Sequence, residues 1–313
     1  MIVRDRPSAI RMFLLVRGSV LPQILPSLFV NTVIATLVTI NHGDLFALKI
    51  TLTTIPFTLI GLPLAIFLGF RNNAAYDRYW EGRKLWGEVV LKSRNFSRQC
   101  QSLIAGPQPV IARLGLMDVR VRMIYRAVAF SHALRLHLRD DPSIADLQPL
   151  LSDAEWQRVA QASNKPDFLM QRMGDDLSEC LRTGRIDPCL AVSIDATMSS
   201  MTAAAAACER IKSTPIPFSY TLLLHRTAYL YCFLLPFGLV DSIGFMTPFV
   251  VAIVAYTFFG LDALGDEIEE PFGLEANDLP LEAICRSVEI NLRESLDDDF
   301  VPAPLAPINY HLS

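Results

Sequence analysis

The sequence predicts an all-α membrane protein, with four transmembrane helices and a helical cytosolic domain. Three observations carry that prediction. Hydrophobic residues make up 51% of the 313-residue chain and charged residues 19%, where soluble domains carry about a quarter charged. The apolar excess is gathered into runs: residues 18–43, 50–70, 227–240 and 242–261 hold no charged residue. No segment shows the alternation of a half-buried strand. A net charge of -4 with this much apolar sequence excludes a disordered chain and a nucleic-acid binder.

The elements follow in order. Residues 1–19 form a cytoplasmic N-terminal segment, with Arg4, Arg6, Arg11 and Arg17 against one acid, Asp5. The apolar run behind them is too long for a secretory signal, and no small-x-small cleavage site follows it. The basic flank predicts a cytoplasmic N-terminus. Residues 20–70 are transmembrane helices 1 and 2, joined by a short loop over 41–47. A helix over 50–70 would be about 30 Å long, the thickness of a bilayer core. It exits into Arg71, Arg78, Arg83 and Lys84, a second cytoplasmic signature.

Residues 71–215 are predicted to form the helical cytosolic domain. Residues 73–103 are charged and aromatic with no interior proline; Gly106, Pro107 and Pro109 end that helix. Asp118 can cap the next, which carries Met123, Ala127, Phe130, Leu134 and Leu138 on one face. Arg122, Arg126, Arg135 and Arg139 lie on its other faces, solvated or salt-bridged. Shorter helices are expected over 153–162 and 167–181, a turn over 184–188, and a helix over 190–211. Pro215 and Pro217 mark the return to the membrane. Residues 216–262 are transmembrane helices 3 and 4 with a loop over 241–247. An even number of spans returns the chain to the cytoplasm, so 263–313 form an acidic cytosolic segment and an extended tail.

Chemistry-bearing motifs are scarce. Cys100, Cys180, Cys189, Cys208, Cys232 and Cys285 have no CxxC spacing and read as free thiols. The sequence holds no HExxH, no Gly-rich phosphate loop and no GxSxG, so an enzyme is not expected. The second transmembrane helix is more informative. Gly61, Ala65 and Gly69 recur every four residues, a small-residue stripe that lets helices from other subunits approach closely. Beside it run Leu62, Ile66 and Phe70. If several copies ring an axis, each becomes a ring of apolar side chains, and stacked apolar rings stop ions by dewetting. The same stripe read alone also suits lipid contact.

Residues 67–87, Phe-Leu-Gly-Phe-Arg-Asn-Asn-Ala-Ala-Tyr-Asp-Arg-Tyr-Trp-Glu-Gly-Arg-Lys-Leu-Trp-Gly, resemble the bestrophin family of ion channels, its prokaryotic members in particular. A second matching block runs from Cys208 through Pro215 and Pro217 to Tyr220, with His225 and Arg226 just beyond. A third is Glu270-Pro-Phe-Gly273 followed by Asn277-Asp278-Leu279-Pro280. The resemblance implies a homopentamer around one central pore in the bacterial inner membrane. It places Leu62, Ile66 and Phe70 at the family's hydrophobic neck. Vertebrate members are aromatic at two of the three neck positions, and here only Phe70 is. The turn over 184–190 matches a second constriction at the cytosolic mouth, with Cys189 at the aperture position, where a branched aliphatic residue is usual. Eukaryotic relatives hold a regulatory Ca²⁺ at positions matching Glu267, Glu270, Glu275 and Asp278. Glutamates stand here where an amide or aspartate is usual, so the alternative is a solvated acidic surface. Oxygen-rich loops suit hard cations, but no cofactor is required.

The expected function is a passive channel for monovalent ions. Apolar rings discriminate by dehydration and carry no charge preference, so selectivity falls to charge near the mouths. The acid excess around residues 267–275 and the net charge of -4 lean to cations; an anion (chloride) channel of the same architecture is the alternative. A carrier would show inverted repeats and an intramembrane binding charge, and a non-conducting membrane sensor would show no flux. The partners are further copies of the chain, the lipid bilayer and the permeant ions. His225 and Arg226, at the cytoplasmic edge of the third span, are expected to snorkel or to pair with an acid such as Asp262.

Overall fold

The computed structural model describes residues 1–4, 8, 10, 15–16, 18–41, 44–45, 48–49 and 53–313, with backbone only at 44–45 and 48–49. Arg6, Arg11 and Arg17 of the basic flank, and the start of the second apolar run at 50–52, lie outside the described residues. The helices are α1 (Leu21–Ile40), α2 (Thr54–Leu103), α3 (Val119–Leu138), α4 (Asp153–Gln161), α5 (Lys165–Arg182), α6 (Pro188–Ser213), α7 (Phe218–Ile243), α8 (Thr247–Glu269) and α9 (Leu281–Glu294). Two strands, β1 (Asp44–Leu45) and β2 (Leu48–Lys49), pair antiparallel with Asp44 opposite Lys49. The sequence reading has no strand here, because two residues are too few to show alternation.

The chain divides into two compact units. The apolar one contains residues 5–79 and 215–270; the polar one contains 1–4, 80–214 and 271–313. Among the described residues, four stretches are long and apolar enough to cross a bilayer: Leu21–Ile40, Thr54–Leu103, Pro188–Ser213 and Phe218–Glu269. The last holds both α7 and α8, separated by a 3₁₀ turn, Gly244–Met246. Pro188–Ser213 is α6, which belongs to the polar unit. Its apolarity comes largely from alanine and methionine, and Asp195 sits within it. The spanning helices are therefore α1, the first part of α2, α7 and α8. This is the all-α membrane architecture with a helical cytosolic domain that the sequence predicts. The sequence draws the end of the second span at residue 70, but the apolar unit keeps α2 to Tyr79, because residues beyond 70 bond to α8.

In the apolar unit, α1 buries Ile24, Asn31, Ala35 and Val38, one face at helical spacing. Ile24 packs with Cys232, Ala255, Phe259 and Ala263. Ala35 packs with Phe57, Leu235 and Val251. Leu64 and Leu68 pack with Leu224 and Ala228. Tyr231 borders all three clusters, with its ring edge-on to Phe57 at 5.8 Å and to Phe258 at 5.2 Å. Edge-to-face aromatic pairs add about 0.5–1.5 kcal/mol beyond area burial. Tyr231 thus holds α2, α7 and α8 together.

The polar unit is organised around α3. Asp118 caps it as expected, its carboxylate accepting the Arg120 N–H at 2.9 Å. The sequence gives α3 one apolar face, yet the helix is buried nearly all round, Arg126 and Arg135 included. Carboxylates from neighbouring elements make that possible. Asp176 of α5 accepts from Arg122 at 2.8 Å and also from Arg126. Glu155 of α4 accepts from Arg126 at 3.1 Å. Asp146 accepts from Arg135 at 2.5 Å, and Glu282 of α9 accepts from Arg139 at 3.3 Å. The C-terminal tail is extended and docked. Val3 N–H donates to Tyr310 O at 2.8 Å, Leu312 N–H to Met1 O at 2.9 Å, and Ala283 N–H to Ser313 O at 2.9 Å.

Candidate functional site

The neck stripe is built by the first turns of α2. Leu64 and Leu68, buried against α7, fix which face of the helix turns inward. Residues two positions away are about 160° off on the helix from one or other of that pair. Leu62, Ile66 and Phe70 accordingly stand on the uncovered side, 66%, 47% and 59% exposed. Ile55 and Leu59 continue the exposed stripe toward the start of the helix. Phe67 lies edge-on to Phe70 at 6.3 Å and 84°. Pro63 sits inside the helix without ending it.

The small-residue stripe does not act as one surface. Gly61 faces inward: a Cβ there would lie 2.9 Å from the Tyr231 hydroxyl oxygen. Gly61 therefore admits Tyr231 of its own chain, where the sequence reading assigns it to contact with another subunit. Ala65 and Gly69 are exposed, and a Cβ at Gly69 would meet nothing within 4 Å. The reason is the drift of an i+4 row around a 3.6-residue helix, which carries the stripe out of the intrachain contact.

Directly after Phe70, the guanidinium of Arg71 is fully buried. Its Nη1 donates to Asp262 Oδ1 at 2.9 Å and to the Asp262 carbonyl at 3.2 Å. Its Nη2 meets Asp266 and lies 3.7 Å from Glu269 Oε2. His225 Nδ1 is 2.6 Å from Asp262 Oδ2, so the expected acid partner goes to His225. Asn72 Nδ2 donates to Leu261 O at 3.0 Å, and Arg78 Nε to Glu269 O at 3.1 Å. The sequence reading treats Arg71 as the first charge of a cytoplasmic flank and misses this cage. Its signal is present all the same: Asp262, Asp266 and Glu269 sit at i, i+4 and i+7, on one face of α8.

Cys189 is exposed at the start of α6, one residue past Pro188. Its N–H donates to the capping carboxylate of Asp187 at 2.8 Å. Of the four acids matched to a Ca²⁺ site, Glu267 and Glu270 belong to the apolar unit and Glu275 and Asp278 to the polar one. Asp278 is 2% exposed. Its Oδ2 accepts the Glu275 N–H at 2.6 Å, while its buried Oδ1 has no hydrogen-bond partner among the described residues. Burial raises its pKa to about 6, against the lowering effect of the Glu275 N–H. Among the described residues, no three His, Cys, Asp or Glu side chains are grouped to hold a metal ion.

Comparison with known proteins places this geometry. The family model described as Bacterial/Fungal Bestrophin protein matches residues 1–294. The chain is 47% identical over 302 residues to the voltage-dependent anion channel-forming protein mll4386 of Mesorhizobium japonicum, covering 95% of this chain and 93% of that one. It is 39% identical over 313 residues to the voltage-dependent anion channel-forming protein YneE of Escherichia coli K12, covering 99% of each. A crystal structure of a bacterial Bestrophin homolog from Klebsiella pneumoniae superimposes with a TM-score of 0.81 at 35% identity, over 88% of this chain and all of that one.

Proposed function

The chain belongs to the bacterial and fungal bestrophin family, and from that premise we propose that it forms a homopentameric ion channel of the bacterial inner membrane. Leu62, Ile66 and Phe70 of five copies ring the axis as its neck. The observation that carries this reading is the apolar stripe of α2 from Ile55 to Phe70, whose Leu62, Ile66 and Phe70 stay 66%, 47% and 59% exposed in the protomer. Rings of such side chains bind no ion and hold no charge; they gate by whether water fills them. Cys189 would narrow the second constriction with a small side chain.

The permeant ion is read as an anion, reversing the lean to cations drawn from the acid count. Two relatives carry anion channel in their names. The acid count also overstates the negative field. Asp262, Asp266 and Glu269 close on Arg71, and Glu282 faces Arg135 and Arg139. Carboxylates spent on internal arginines steer few ions. Calcium control through Asp278 would need ligands beyond those grouped here.

The test is a planar-bilayer recording of purified protein under a KCl gradient. The reversal potential should lie near the chloride equilibrium potential; one near the potassium potential would restore the cation reading. The triple variant L62A/I66A/F70A should raise unitary conductance or open probability severalfold. Unchanged currents would remove these residues from the pore, and no current from any preparation would favour a carrier or sensor.

A further inference from the structure

We infer that Arg71 is the positioning residue of the neck: its carboxylate cage on α8 fixes the rotation of α2 at the level of Phe70. This rests on the pore reading of Leu62, Ile66 and Phe70 and adds what holds the last ring in place.

The argument begins with spacing. Consecutive helical residues are 100° apart, so a side chain pinned at 71 sets where the side chain at 70 points. Arg71 is pinned more firmly than any neighbour. Its guanidinium is fully buried and meets two side-chain carboxylates and a backbone carbonyl of α8. Planar, multidentate pairing of this kind fixes orientation as well as distance. Asn72, the next residue, donates to Leu261 O on the same helix. One turn earlier, Tyr220 Oη of α7 donates to Phe67 O at 3.2 Å. Close approach is built in at Gly265, where a Cβ would lie 2.5 Å from Asn72 Oδ1 and 3.3 Å from Arg71 Cζ.

The charge balance separates this cage from an ordinary structural ion pair. Three carboxylates face one guanidinium, and His225 on α7 approaches the Asp262 oxygen that Arg71 leaves. The Ile216 N–H donates to Glu269 Oε1 at 2.9 Å, and Arg71 is left as a single side chain of α2 that reaches all three acids of α8.

The test is a double-mutant cycle read as conductance and as the permeability of thiocyanate relative to chloride, in full-length protein reconstituted in bilayers. Arg71→Gln should change the permeability ratio at least threefold in the wild-type background and leave it within 1.5-fold in a Phe70→Ala background, because its effect passes through that ring. Arg71→Lys should restore part of the wild-type ratio. Asp266→Asn removes a half-exposed carboxylate and leaves the buried charges paired; it should shift the ratio in the same direction by a smaller factor. That variant decides the matter if Arg71→Gln does not fold. Equal effects of Arg71→Gln, or of Asp266→Asn, with and without Phe70 would overturn the positioning role while leaving the channel intact. Absence of current in the wild type would overturn the pore reading and this role with it.

Discussion

At the scale of single residues, burial decides which charges matter, and the sequence ranks them poorly. Asp278 is one acid in a crowded acidic segment, yet it alone among the four matched to a Ca²⁺ site combines near-complete burial with an oxygen that has no hydrogen-bond partner among the described residues. Burial raises its pKa from 3.8 to about 6. The folded protein therefore holds the Asp278 proton more tightly than the unfolded chain does. Stability from this group is greatest below about pH 4, falls as pH rises through the window from 3.8 to about 6, and is level above it. Asp278→Asn should remove that part of the pH dependence, because the amide keeps an acceptor for the Glu275 N–H and carries no charge. Thermal unfolding of the purified protein at pH 5 and pH 7 checks this. The wild type should lose more stability than the variant on going to pH 7; equal losses would show that Asp278 ionises freely in the fold.

At the scale of elements, hydrophobic periodicity and caps are legible, and pairings between distant segments are not. The runs at 18–43, 227–240 and 242–261 yield α1, α7 and α8, and Asp118 starts α3 where its side chain can cap. What periodicity misses about α3 is its second and third faces. Arg122 and Arg126 read as solvated or salt-bridged with no partner named, because Asp176 and Glu155 lie 29 or more residues away in sequence. For the same reason Arg71 reads as a flank: its partners on α8 are 191 and 195 residues distant. The cost of that hidden pairing can be measured. Asp176 serves two arginines at once; Asp176→Asn leaves Arg122 without its carboxylate partner and Arg126 with Glu155 alone. Removing one partner of a buried pair costs about 3–5 kcal/mol. The partial exposure of Arg122 places this variant near the lower end, about 3 kcal/mol. Chemical denaturation of wild type and variant measures it, and a change below about 1 kcal/mol, the worth of an exposed pair, would return these charges to the surface.

At the scale of the whole molecule, the protomer leaves apolar surface that two different surroundings compete to cover. Phe29 on α1, Leu230 on α7 and Phe249 on α8 are 67%, 61% and 62% exposed, close to Leu62 and Phe70 on α2 at 66% and 59%. Exposure by itself does not separate a lipid-facing side chain from one facing an axis shared by five copies. Assembly does. In a closed ring every copy presents the same face inward, so a residue near the axis meets its own counterpart, whereas a lipid-facing residue meets none. Native mass spectrometry should give five subunits, about 175 kDa at 34.9 kDa each, and a clean dimer or trimer would reject the ring. Within that assembly, a cysteine at Phe70 should form disulfides between copies on mild oxidation, while a cysteine at Phe249 should not. Wild-type Cys189 is itself exposed, so the comparison is made in a Cys189→Ser background. Cross-linking at Phe249 with none at Phe70 would turn α2 outward and move the conduit to another helix.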